Sequence, residues 1–235
     1  MNNHKSFSTS PAYPRFPFAH TFSIVARDPE TGEMGAAVQS HWFSTGSLVI
    51  WGEAGVGAVA TQAMVDPSYG PLGLELMFTG ISAPTALTNL LAQDVRKEIR
   101  QVAMVDARGR VGAHTGSQCI AEAGHVTGDG FSVQANMMLN NTVWHAMAEA
   151  FRTSSGRLAD RMILALQAAQ EAGGDIRGQQ SAAMIVVKAQ SSSKPWNDTL
   201  IDLRVEDHPR PIEELQRLLT VQDAYEWMNK GDEFM

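Results

Sequence analysis

From residue 21 onward the chain alternates apolar and small polar positions, so its first elements read as strands. In TFSIVAR, residues 21–27, side chains repeat with period two, which puts Thr21 and Ser23 on one face. A DPETG turn follows, and residues 33–40 return as a small, apolar strand. Residues 47–51 and 55–62 complete this block, separated by Gly, Asp and Pro turn signals. The period then lengthens: residues 71–80 and 82–94 carry Leu and Met at helical spacing, with Ser82 as N-cap of the second helix. Strands 99–106 and 110–115 form a hairpin around a turn that places Gly109 at positive φ. Further strands are predicted at 125–127 and 131–134, and helices at 142–153 and 157–172. The stripe of Val143, Met147, Ala150 and Phe151, with Met162, Leu164 and Leu166, reads as core and carries no chemistry. Strands 181–189 and 200–205, and a helix from Pro211, finish the chain. Strands and helices arrive in blocks, not in strict βαβ alternation, which predicts an α+β domain of antiparallel sheets with helices outside.

Composition narrows the function classes. At 235 residues and 44% hydrophobic content the chain can bury a substantial core, and residues 21–235 read as a single domain. The first twenty residues, with three prolines and no apolar period, read as an extension or arm, and lack the apolar centre of a secretory signal. A net charge of −7 argues against a nucleic-acid partner, and no apolar run reaches membrane-spanning length. With Cys119 as the only cysteine, no intramolecular disulfide forms and a cytoplasmic location is expected. The histidines do not stand at zinc-site spacing, and the run GEAGVG lacks P-loop or dinucleotide order, so no metal or cofactor is expected. The apolar load on the helices, with Trp144, Phe151 and Trp227, predicts a homodimer or higher homo-oligomer.

The runs TFSIVARDPETGEMGAAVQS, GVGAVATQAMVDPSYGPLGLELM, IRQVAMVDARGRVGAHTGS, AGHVTGDGFSVQANMM and GGDIRGQQSAAMIV stand in this order between residues 21 and 187. Together they resemble the bacterial domain of unknown function 1028 family, placed among N-terminal-nucleophile (Ntn) hydrolase-like proteins. The resemblance implies a four-layer αββα sandwich of two antiparallel sheets, with a site at the strand ends near Thr21. It supplies no substrate.

An Ntn enzyme attacks with a side-chain hydroxyl or thiol and uses its own α-amine, of pKa about 8, as base. Thr21 is the candidate nucleophile, with Ser23 beside it; because twenty residues precede Thr21, the amine exists only once segment 1–20 is removed. No lysine lies between Lys5 and Lys97, so the lysine that some Ntn hydrolases place beside the nucleophile has no counterpart on the early strands. Asn136 is a candidate oxyanion donor, on one face with Gln134 two positions away. Thr61 and Gln62 end an apolar strand where donors would complete that pocket, and Ser40 and His41 close the second strand, His41 as a proton carrier. Asp175 and Arg177 lie between a helix end and a strand, where Arg177 would clamp a substrate carboxylate. Two functions follow as expectations. One is hydrolysis of an amide or cyclic amide bond in a small polar metabolite; the other is small-ligand binding or non-covalent chemistry by an unprocessed chain.

Overall fold

The structure is a computed structural model that describes residues 18, 19, 21–192 and 194–232. The predicted N-terminal arm lies outside these residues apart from Phe18 and Ala19. In chain order the elements are β1 (Phe18–Ala19), β2 (Thr21–Arg27), β3 (Met34–Ser40), α1 (Gly46–Val49), β4 (Ile50–Glu53) and β5 (Gly57–Met64). Then come α2 (Tyr69–Phe78), α3 (Ala83–Gln93), β6 (Arg100–Asp106), β7 (Val111–Thr115), β8 (Gly124–Gly128) and β9 (Phe131–Ala135). Helices α4 (Val143–Thr153) and α5 (Leu158–Glu171), strands β10 (Ser181–Val187) and β11 (Thr199–Val205), and α6 (Pro211–Asp232) complete the chain.

The strands form two antiparallel sheets: β1-β5-β6-β7, with β4 also on β5, and β11-β10-β3-β2-β9-β8. Alternation along each strand divides the core into layers. Phe22, Ile24 and Ala26 of β2 face α4 and α5 in one cluster. Val25, with Ala36 and Val38 of the neighbouring β3, faces the other sheet in one cluster with Ala58, Ala60, Ala103 and Val105. Val59, Val102 and Met104 turn outward against α2 and α3. The order is therefore helices, sheet, sheet, helices. Small residues between the sheets let them stack closely, and no helix among the described residues is long and apolar enough to cross a membrane.

Most boundaries follow the sequence pattern, because period and turn chemistry are local. The turn after β6 has Gly109 at φ +76°, and Ser82 Oγ accepts from the N–H of Thr85 at the start of α3. Residues 47–51 depart from the expected strand. Residues 46–49 make a helical turn instead, and the strand starts only at Ile50. Thr45 N–H is held by Ser181 Oγ at 3.1 Å, and Gly46 sits against Ala183 where no side chain fits. Val49 and Ile50 are buried in succession, which a pleated strand does not do with one face open. A second departure concerns Trp144 and Phe151, expected as exposed apolar surface. Both are buried: Trp144 lies on Gly124 of β8, and the Phe151 ring stands 4.8 Å from that of Phe131 in β9.

Candidate active site

The face between the sheets is apolar at one end of the strands and polar at the other. Along β2 it runs Val25, Ser23, Thr21; along β3 Val38, Ser40; along β5 Ala60, Gln62; along β6 Ala103, Gln101. Sheet register then aligns the polar ends, with Thr21 opposite Ser40, Ser23 opposite Gln134, and Gln62 opposite Gln101. All of these side chains are buried, so each polar atom needs a partner within the protein.

The partners form one connected network. Ser132 Oγ donates to Gln134 Oε1 at 2.9 Å, Gln134 Nε2 to Ser23 Oγ at 2.6 Å, and Ser23 Oγ to Gln62 Oε1 at 2.6 Å. Gln62 Nε2 donates to Gln101 Oε1 at 2.7 Å, crossing from β5 to β6. Gln101 Nε2 lies 2.9 Å from Thr115 Oγ1, 3.1 Å from Gly124 O and 2.9 Å from Ala135 O. His125 Nδ1 closes that end on Thr115 Oγ1 at 2.8 Å, and burial holds its pKa below the usual imidazole value. The Ser23 hydrogen is thereby committed to Gln62. Thr21 Oγ1 donates to Ser40 Oγ at 3.2 Å and bonds no titratable side chain among the described residues.

The carbonyl oxygen of Thr21 receives Asn136 N–H at 3.1 Å, Gln62 Nε2 at 3.1 Å and Asn136 Nδ2 at 3.4 Å. In the intact chain the amides expected to hold a substrate oxyanion thus hold the main chain of residue 21. Gln101, Thr115 and Ser132 were not singled out from sequence. The available signal was an amide or hydroxyl at an inward position of an otherwise apolar strand, clearest for Gln101 in RQVAMVD.

The structure brings Thr21, Ser23, Ser40, Gln62, Gln134 and Asn136 together. Thr61 stands apart, since the pleat turns it to the opposite face of β5, where Oγ1 donates to Asp66 O at 3.1 Å. His41, Asp175 and Arg177 form a second cluster beyond Ser40. The buried Asp175 carboxylate accepts from His41 N–H at 3.2 Å, and from Arg177 Nε at 3.0 Å and Nη2 at 2.6 Å. His41 Nδ1 lies 3.4 Å from Gln179 O. Burial pushes the Cys119 thiol up to about 11, so it stays protonated at neutral pH, with Sγ donating to Arg100 O at 3.3 Å. Among the described residues no group of three or more His, Cys, Asp or Glu is placed to hold a metal ion.

Arg100 fastens the strand end beside this site. Its Nη1 donates to Met64 O at 2.5 Å, its Nε to Asp94 Oδ2 at 2.9 Å, and its Nη2 lies 3.5 Å from Asp66 Oδ2. Tyr69 Oη also donates to Asp94 Oδ2 at 3.1 Å, which joins α2 and the segment after α3 to β6.

The model of a family described as a family of unknown function (DUF1028) matches residues 21–215. The crystal structure of protein SPO2555 from Silicibacter pomeroyi, assigned to the same family, is similar with a TM-score of 0.77 and 33% identity, over 85% of this chain and 88% of that one. No curated protein matches the chain.

Proposed function

This chain belongs to the DUF1028 family, and from that premise we propose an Ntn-type hydrolase of a C–N bond, amide or cyclic amide, in a small polar metabolite. Thr21 is the nucleophile, set free by removal of the segment ending at His20. Its new α-amine takes the hydroxyl proton as Oγ1 attacks the substrate carbonyl carbon. The tetrahedral intermediate collapses, the C–N bond breaks, and the leaving nitrogen departs with that proton. An acyl ester remains on Thr21. Water, losing a proton to the same amine, attacks the ester; the acid leaves and Oγ1 regains a hydrogen.

One observation carries this reading. Thr21 is at once the first residue matched by the family and the first of β2, and its hydroxyl bonds only Ser40 Oγ among the described residues. With no side-chain base bonded to it among the described residues, the base in this reading is its own main-chain nitrogen. Intact mass and N-terminal sequencing of the purified protein test the premise, and Thr21→Ala tests the chemistry through release of amine from small amides. A chain beginning at Thr21 whose activity is lost in Thr21→Ala is expected. Full activity in Thr21→Ala, or in a chain that retains His20, rejects the mechanism.

The full burial of Thr21 in the intact chain favours a second reading, an unprocessed protein that binds a small ligand without a covalent step. The same mass measurement separates the two, because this reading requires a stable chain that retains residues 1–20.

A further inference from the structure

Strand β5 is shared unevenly by its neighbours. β6 pairs with one edge from Gly57 to Ala63, whereas β4 covers the other edge only from Gly57 to Ala60. Past the end of β4 that second edge is taken by β1, antiparallel, with Phe18 opposite Met64 and Ala19 opposite Ala63. Only His20 separates this pair from Thr21, the first residue of β2 in the other sheet. A ladder of this kind is made by main-chain groups, so another extended peptide can take the place of β1 whatever its side chains.

β1 is not all that holds this strand end. Arg100, buried on β6, donates from Nη1 to Met64 O at 2.5 Å and is itself fixed by Asp94 Oδ2 at 2.9 Å. Ala63 is a non-glycine residue with left-handed backbone, φ +67°, a conformation that persists only where its surroundings impose it. Departure of β1 therefore leaves an open sheet edge at Ala63 and Met64 whose position Arg100 maintains.

The geometry points to this edge as the subsite for the acyl part of the substrate, and to a short peptide as that substrate. Two of its residues pair with Met64 and Ala63 as Phe18 and Ala19 do, and a third carries the scissile carbonyl. This subsite rests on the hydrolase reading at Thr21. In the intact chain the carbonyl carbon of residue 20 is bonded to the nitrogen of Thr21; in the acyl-enzyme the substrate carbonyl carbon is bonded to Oγ1 of the same residue. Only Cα and Cβ separate those two atoms, so an acyl chain extending from either begins in the same small volume and meets the same edge of β5. Attack by Oγ1, departure of the amine with its proton and hydrolysis of the ester follow as for a small amide, with water as the one further reactant. Recognition through peptide groups tolerates varied side chains and selects for N–H groups along the acyl segment.

Release of aminomethylcoumarin by the purified protein, its N-terminus read by intact mass, compares three probes. The first is acetyl-Phe-Ala-His-aminomethylcoumarin, which repeats residues 18–20; the second is the same peptide N-methylated at Phe and Ala; the third is acetyl-His-aminomethylcoumarin. A chain beginning at Thr21 is expected to hydrolyse the first with a kcat/KM about tenfold above either of the others, with no release by Thr21→Ala. A processed chain that turns over all three alike, or prefers the methylated peptide, keeps the hydrolase and removes the subsite. A processed chain that releases nothing from the three removes the subsite, and its turnover of small amides then decides the hydrolase separately. A chain that retains His20, or release that persists in Thr21→Ala, removes the hydrolase and the subsite with it.

Discussion

Gln101 receives the amides of Gln62 and Asn136 and presents its own to Thr115, Gly124 and Ala135, so it joins both sheets through one side chain. Replacing it by Leu removes a donor from the Gly124 and Ala135 carbonyls and leaves two amide groups short of an acceptor. A loss of roughly 2–4 kcal/mol in unfolding free energy is expected from urea denaturation. A Gln101→Leu protein within about 0.5 kcal/mol of the parent would show that the network contributes little. Thr21→Ala is a contrasting case, since its Oγ1 makes one hydrogen bond to another hydroxyl. Its stability cost is expected not to exceed about 1.5 kcal/mol, so loss of activity in that variant is not loss of fold.

At the scale of elements, α2 and α3 pack on their sheet through an apolar cluster, to which a close approach at Gly70 and a charged clamp are added. Gly70 in the first turn of α2 lies on the Trp51 ring, where any Cβ would overlap the indole. Gly70→Ala is expected to cost about 1–3 kcal/mol through displacement of the helix, visible as a lower denaturation midpoint. The clamp is Asp94 with Arg100. Burial works to raise the Asp94 pKa, but it is outweighed by the Arg100 hydrogen bond, the Arg96 N–H, the Arg100 charge and the Tyr69 hydroxyl, so the folded-state value lies below the ordinary one. A depressed carboxyl pKa contributes stability that is present above the unfolded value, near pH 4, and lost as pH falls through the folded value. Thermal midpoints between about pH 6 and 2.5 are expected to drop on the acid side, and less steeply in Asp94→Asn. An unchanged acid limb in that variant would assign the loss to other carboxylates.

Element types were readable wherever period and turn residues agree, as in the hairpin around Gly109 or the capped start of α3. The turn at 46–49 was not, because contacts with Ser181 and Ala183, far along the chain, override a short apolar run. Nor could the sequence tell that Trp144 and Phe151 face the sheet, since an apolar helix stripe reads the same whether it covers a core or a partner.

For the whole molecule, several large apolar side chains are exposed on different elements, and three of them, Tyr225, Trp227 and Met228, lie close together in sequence on α6, at 62%, 76% and 63% exposure. Light scattering is expected to give at least twice the 25.5 kDa of one chain, and Trp227→Lys to shift it toward the monomer. A monomeric parent at micromolar concentration rejects this. By itself the sequence determined the strand and helix types apart from the turn at 46–49, the antiparallel layering and the inward face that Thr21 shares with Ser23, because these depend on local period and on the order of elements. The tertiary structure alone decided that Gln62, Gln101, Gln134 and Asn136 meet at Thr21, while Thr61 turns away and His41, Asp175 and Arg177 gather beside Ser40. Register and sheet stacking are set by packing between segments far apart in the chain, and no local pattern carries that information.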